Sequence, residues 1–152
     1  GSCSAVFHAI NEADLVRIMQ HPMTMIASDA SPGEPEFGRD VPHPRAYGTF
    51  ARVLGVYVRE KKVLALEEAV RKMTSFPAAR MHLTDRGLLR EGMKADIAIF
   101  DPATVSDRAT FAQPHQYAVG VSYVLVNGEV VLADGAMTGA RPGRVLRRPK
   151  AN

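Results

Sequence analysis

At 152 residues and 46% hydrophobic side chains, the chain is about one domain long and apolar enough for a packed core, which excludes wholesale disorder. Its single cysteine, Cys3, excludes an intrachain disulfide and favours a reducing cytoplasm, while no apolar run approaches the roughly 18–20 residues of a membrane span. The net charge of +3 gathers in Arg141, Arg144, Arg147, Arg148 and Lys150, with no interleaved aromatics for base stacking, so these cations read as a solvated extension rather than a nucleic-acid site.

Gly1-Ser2 reads as a cloning remnant, so the chain is expected to begin inside a longer protein. Ser4–Ile10 is then a short strand candidate. Asn11 offers a helix N-cap, with Asp14 in the place of a capping-box acid. Leu15, Ile18 and Met19 share one helical face, and Pro22 stops that helix at His21. Met23–Ser28 is the next strand: an apolar run that ends on Asp29 and opens into the Pro- and Gly-rich loop Ala30–Arg45. Strand, helix and strand in so short a span form a βαβ unit, which implies parallel strands of a larger sheet. Asp29 then sits where the functional end of a barrel strand would be. Capping of the turn that follows is the other role for a carboxylate at this place, and spacing does not choose between them.

After the loop, Phe50, Val53, Leu54, Tyr57 and Val58 recur at helical spacing and predict one amphipathic helix from about Ala46 to Lys62. A second helix starts near Leu66 and turns Ala69, Val70 and Met73 inward. Ser75–Arg80 reads as a break followed by a fresh helical turn, with Pro77 near its start. From Gly87 the period changes. Ala95–Phe100 is a strand, Ala103–Ala118 is irregular and polar, and Val119–Val126 is a strand joined through Asn127-Gly128 to Glu129–Leu132. Asn-Gly between apolar runs marks a hairpin, because both positions take positive φ. The fold class is therefore α/β at the front and antiparallel β at the back.

Little of the chemistry is self-contained. The 5 histidines (His8, His21, His43, His82 and His115) form no His-x-His or His-x-x-x-His pair, so spacing reveals no zinc constellation. Nucleophile elbow, phosphate loop and dinucleotide fingerprint are all missing.

A family resemblance rests on several stretches. These are Ile-Ala-Ser-Asp at 26–29, Pro-His-Pro-Arg-Ala-Tyr-Gly-Thr-Phe-Ala-Arg-Val-Leu-Gly-Val-Tyr-Val-Arg-Glu at 42–60, and Ala-Val-Arg-Lys-Met-Thr-Ser-Phe-Pro-Ala-Ala-Arg at 69–80. Gly87–Asp101 and Val124–Val131 continue the series. Together they resemble the C-terminal third of the N-acyl-D-amino-acid deacylases, or D-aminoacylases, of the amidohydrolase superfamily. The resemblance covers about residues 5 to 148, and the Pro-His-Pro-Arg stretch is its most specific part. Two departures stand out: Ala30 follows the aspartate where Gly is usual, and the loop Ala30–Val41 is long.

The resemblance implies the end of a metal-dependent (β/α)8 barrel over residues 3–82, part of a small antiparallel β-sandwich over 83–148, and a tail at 149–152. Ser4–Ile10 would be the seventh barrel strand and Met23–Ser28 the eighth. Asp29 falls on the catalytic base, and Arg45 on the arginine that clamps the substrate carboxylate. Ser28 and His43 are implied as further substrate-binding residues. Zinc is the implied cofactor; its ligands would lie outside this chain, with Asp29 available as an auxiliary ligand. The implied substrate is an N-acyl-D-amino acid, with no nucleic-acid or membrane partner, and the implied chain is inactive alone. Two alternatives stand beside this reading: a hydantoinase- or dihydroorotase-like cyclic amidohydrolase, and a non-catalytic assembly module. Open strand edges lead to the expectation that the isolated chain self-associates.

Overall fold

The computed structural model describes residues 9–30 and 41–147. Helix α1 spans Glu12–Gln20, and the Asn11 side chain accepts from the Asp14 N–H at 2.9 Å, the capping contact its position predicts. Ser4–His8, most of the first strand candidate, lies outside the described residues, and Ala9 and Ile10 are not in a strand.

Met23–Ser28, expected as a strand, does not form one. A strand is a relation to a neighbouring backbone, and no described segment supplies a ladder here. The segment is held instead by the Thr24 N–H on His21 O at 3.1 Å and the Ile26 N–H on Lys72 O at 3.2 Å. Its burial nevertheless alternates. Thr24, Ile26 and Ser28 are half-buried, whereas Met23, Met25, Ala27 and Asp29 are exposed.

The helix expected from Ala46 to Lys62 is a composite. An α-helix, α2, covers Arg45–Arg52 and passes directly into a π-helical stretch over Val53–Glu60. The wider turn closes with the Lys61 N–H on Val56 O at 2.8 Å, five residues back. It buries Val53, Leu54, Gly55 and Tyr57. Phe50, expected inward, is exposed. Gly55 sits where a Cβ would come 2.9 Å from Val105 O, so the widened stretch lies flush against the 105 backbone. Helix α3 follows over Leu66–Met73 and α4 over Ser75–Arg80, with Thr74 (φ −130°, ψ −87°) breaking the path between them.

Strands β1 (Ile97–Phe100), β2 (Val121–Val126), β3 (Glu129–Ala133) and β4 (Ala136–Met137) form an antiparallel meander in that order. Ile97 pairs with Leu125 and Ile99 with Tyr123, then a bulge shifts the register before Phe100. Asn127 (φ 49°) and Gly128 (φ 86°) make the expected tight turn. Asp134 (φ 49°) and Gly135 (φ 79°) repeat it and add β4, which the sequence reading lacked.

Residues 103–118 are irregular, as expected, but not merely polar. Val105 and Ala109 are buried, and Ser106 bridges to Val119. Gly120 takes φ +79° so that its backbone can lie against Val105, where a Cβ would meet the Val105 Cα at 2.4 Å. The core gathers Met19, Ala51, Val53, Leu54, Tyr57, Leu64, Ala69 and Val105, with Phe100 and Val121 of the sheet packed against it. Helices and sheet therefore share one apolar centre through the 105 segment. No helix among the described residues is long and apolar enough to cross a membrane.

Candidate functional site

Asp29 ends the alternately buried segment with φ +50°, in the left-handed region that Asp enters more readily than most residues. Its Oδ2 lies 3.1 Å from Nη2 of Arg45, the first residue of α2. The pair is open to solvent: the Asp29 side chain is 85% exposed and that of Arg45 45%. The carboxylate is thus free on most of its surface to meet a proton donor.

Pro44 stands at the N-cap with helical φ −50° but has no side-chain acceptor for the first turn. His43 supplies one. Its Nδ1 accepts the Arg45 N–H at 3.1 Å, so this nitrogen carries no proton, and a neutral ring holds its hydrogen on Nε2. The same ring stands edge-on to Phe111 at 5.0 Å. Within the first turn of α2, the Tyr47 hydroxyl meets His115 Nδ1 at 2.8 Å, and the Tyr47 ring packs edgewise on His115 and Tyr117, each at 5.7 Å. The irregular 103–118 segment therefore walls one side of the turn that carries Arg45. Arg52 Nη1 to Asp107 Oδ2 at 3.2 Å and Arg59 Nη1 to Val105 O at 2.6 Å pin that wall to the helix. Gly48 permits the approach, since a Cβ there would sit 2.6 Å from the Asp107 Cβ.

The structure thus brings Asp29, Arg45 and His43 together. Ser28 is half-buried beside Asp29 in the chain. The sequence reading missed Lys72. Its side chain is fully buried, and Nζ donates to His21 O at 2.6 Å and to Thr24 O at 2.9 Å. The readable signal was its spacing, three residues after Ala69 and four after Glu68, on the face of α3 that turns inward. Among the described residues, no cluster of three or more His, Cys, Asp or Glu side chains could hold a metal ion.

The sequence profile of the amidohydrolase family matches residues 8–132. An N-acyl-D-aspartate deacylase of Alcaligenes xylosoxydans xylosoxydans is 49% identical over 143 residues, which span 93% of this chain and 28% of that protein. A D-aminoacylase crystal structure superposes with a TM-score of 0.85 at 46% identity, over 91% of this chain and 28% of its own. An N-acyl-D-glutamate deacylase of Bordetella bronchiseptica, complexed with zinc and a phosphonate inhibitor that mimics the tetrahedral intermediate, gives 0.77 at 47% identity over the same shares. The chain thus spans less than a third of the length of these relatives.

Proposed function

The chain belongs to the amidohydrolase family, and we propose that it is the C-terminal part of an N-acyl-D-amino-acid deacylase. The complete protein would hydrolyse the amide of N-acyl-D-amino acids to a D-amino acid and a carboxylate. In this reading residues 3–82 end a (β/α)8 barrel, 83–148 form part of a β-sandwich, and 149–152 are a tail. The order of elements supports that division, since helices run to Arg80 and strands begin at Ile97.

One observation carries the site assignment. Asp29 ends the period-two segment on the same open face as Met23, Met25 and Ala27, and it meets the guanidinium that begins the next helix. A parallel barrel strand has both faces covered and presents its functional group at its C-terminal end. Met23, 72% exposed, is a large apolar side chain still awaiting its cover. In this arrangement Asp29 takes the proton of the attacking water and returns it to the leaving amine. Arg45 holds the substrate carboxylate through its planar fork, which lysine cannot reproduce. His43 caps the Arg45 turn and so keeps the fork aimed, and Ser28 lies beside the base in the chain as a further substrate contact.

The described residues do not by themselves make a zinc site. Zinc in the complete protein would take its ligands from other segments, with Asp29 at most an auxiliary one. The chain alone would be inactive.

The test is substrate discrimination in the complete protein. Arg45→Lys, and more strongly Arg45→Ala, should weaken kcat/KM for N-acyl-D-amino acids while sparing the corresponding amides, which lack the carboxylate. Equal losses on both substrate types would make Arg45 a structural residue and remove the clamp.

A further inference from the structure

Lys72 is the one buried charged residue among those described, and its amine bonds to the segment that leads to Asp29. Nζ donates to the carbonyls of His21 and Thr24, at 2.6 and 2.9 Å. The Lys72 carbonyl accepts the Ile26 N–H at 3.2 Å. Glu68 lies 3.6 Å from Nζ and balances its charge, while the neighbouring Arg71 reaches Pro22 O at 3.3 Å. The last turn of α3 thus grips residues 21–26 at several points, and Asp29 follows Ile26 by only three residues, roughly 10 Å of extended chain.

We propose that Lys72 is a positioning residue for Asp29, a buried amine whose bonds to the His21 and Thr24 carbonyls fix where the carboxylate stands. The proposal rests on the reading of Asp29 as the general base. The His21 and Thr24 carbonyls converge on one buried amine, and lysine brings three donors on one flexible stem. An apolar replacement takes the amine from the Thr24 carbonyl and leaves that of His21 with the Thr24 N–H alone, so the segment shifts to satisfy them, and Asp29 shifts with it. Tight constraint is needed, because a displacement of about 1 Å in reacting groups costs on the order of a hundredfold in rate.

The experiment uses the complete protein with Lys72→Met and the milder Lys72→Gln, each alone and combined with Asp29→Asn. It reads kcat, KM, metal content and the thermal midpoint. Lys72→Met should lower kcat roughly 10- to 100-fold, with KM within about threefold of wild type and metal content unchanged. Lys72→Gln, which keeps one donor group, should fall between Lys72→Met and wild type. In the Asp29→Asn background Lys72→Met should cost less than about twofold more, since no base remains to be misplaced. The same fold-loss in both backgrounds overturns the proposal, as does a KM that rises in step with the loss of kcat. Failure of both Lys72 variants to fold overturns it too, by making the residue a support of the whole molecule. Wild-type turnover by Asp29→Asn alone sinks the general-base reading itself, which is a distinct outcome.

Discussion

Replacing Asp29 by Asn separates chemistry from stability, because the structure sets opposite magnitudes for the two. The amide is nearly isosteric, and Asn tolerates the left-handed backbone at φ +50°. Among the described residues its charge partner is Arg45 at 3.1 Å, and both side chains are well exposed. Exposed ion pairs of this kind contribute about 0.2–1 kcal/mol and are screened by salt. The unfolding midpoint of the complete protein should therefore move by no more than about 2–4 °C. Loss of a general base, by contrast, lowers kcat by about two to four orders of magnitude, or roughly 3–5 kcal/mol of barrier. The assay pairs amine release from an N-acyl-D-amino acid with thermal unfolding in the same buffer, and metal analysis excludes loss of zinc as the cause. Turnover near wild type would refute the catalytic assignment. A midpoint lowered by tens of degrees would refute it differently, by showing that the carboxylate holds the turn.

Acid should weaken the tie between α1 and the π-helical stretch. A hydrogen bond and the charge of Lys61 hold the Glu12 carboxyl below its usual 4.5, so this tie is fully present above that pH and is lost as pH falls through the lowered value. Glu12→Gln should thus destabilise at pH 7 and progressively less below about 4.5; a gap in midpoint that stays constant down to pH 3 would show that the charge does not matter. The isolated chain should self-associate, because the outer edge of β1 has no partner among the described residues and Ile99 on that strand is exposed. Light scattering checks this, and a monodisperse, cooperatively unfolding monomer would refute it.

What the sequence made legible was local. The Asn11 cap, the Pro22 stop and the Asn127-Gly128 turn each depend on a few adjacent residues, and each stands as expected. The second turn, Asp134-Gly135, carries the same chemistry, yet its following strand is only Ala136–Met137, too short to show a period. The switch from α to π winding at Val53 left no mark in the apolar spacing, because it answers to the distant Val105 backbone against Gly55. Lys72 was hidden for a similar reason. Lysine belongs at the surface by type, and only the placement of the His21 and Thr24 carbonyls makes its burial favourable. Asp29 and Arg45 were legible as residue types at an element end and a helix start, whereas their 3.1 Å approach depends on the fold.

The Met23–Asp29 segment shows how the two kinds of information differ. Its sequence, Met-Thr-Met-Ile-Ala-Ser-Asp, has apolar residues at both parities, the pattern of a strand covered on two sides. In the structure the last turn of α3 covers one side only, through Thr24 and Ile26, and Met23 and Met25 remain exposed opposite. Water gives no reason for methionine at both open positions, whereas a second apolar layer does. Asp29 lies on that same open side. In the proposed reading Asp29 would therefore work at the boundary between residues present here and a face that further segments of a barrel would enclose. Burial on that side would exclude bulk water from the carboxylate and strengthen its pairing with Arg45 as the local dielectric falls. The exposed pair seen here is the weak form of the contact, and its enclosure by the rest of a barrel is what would turn it into a site.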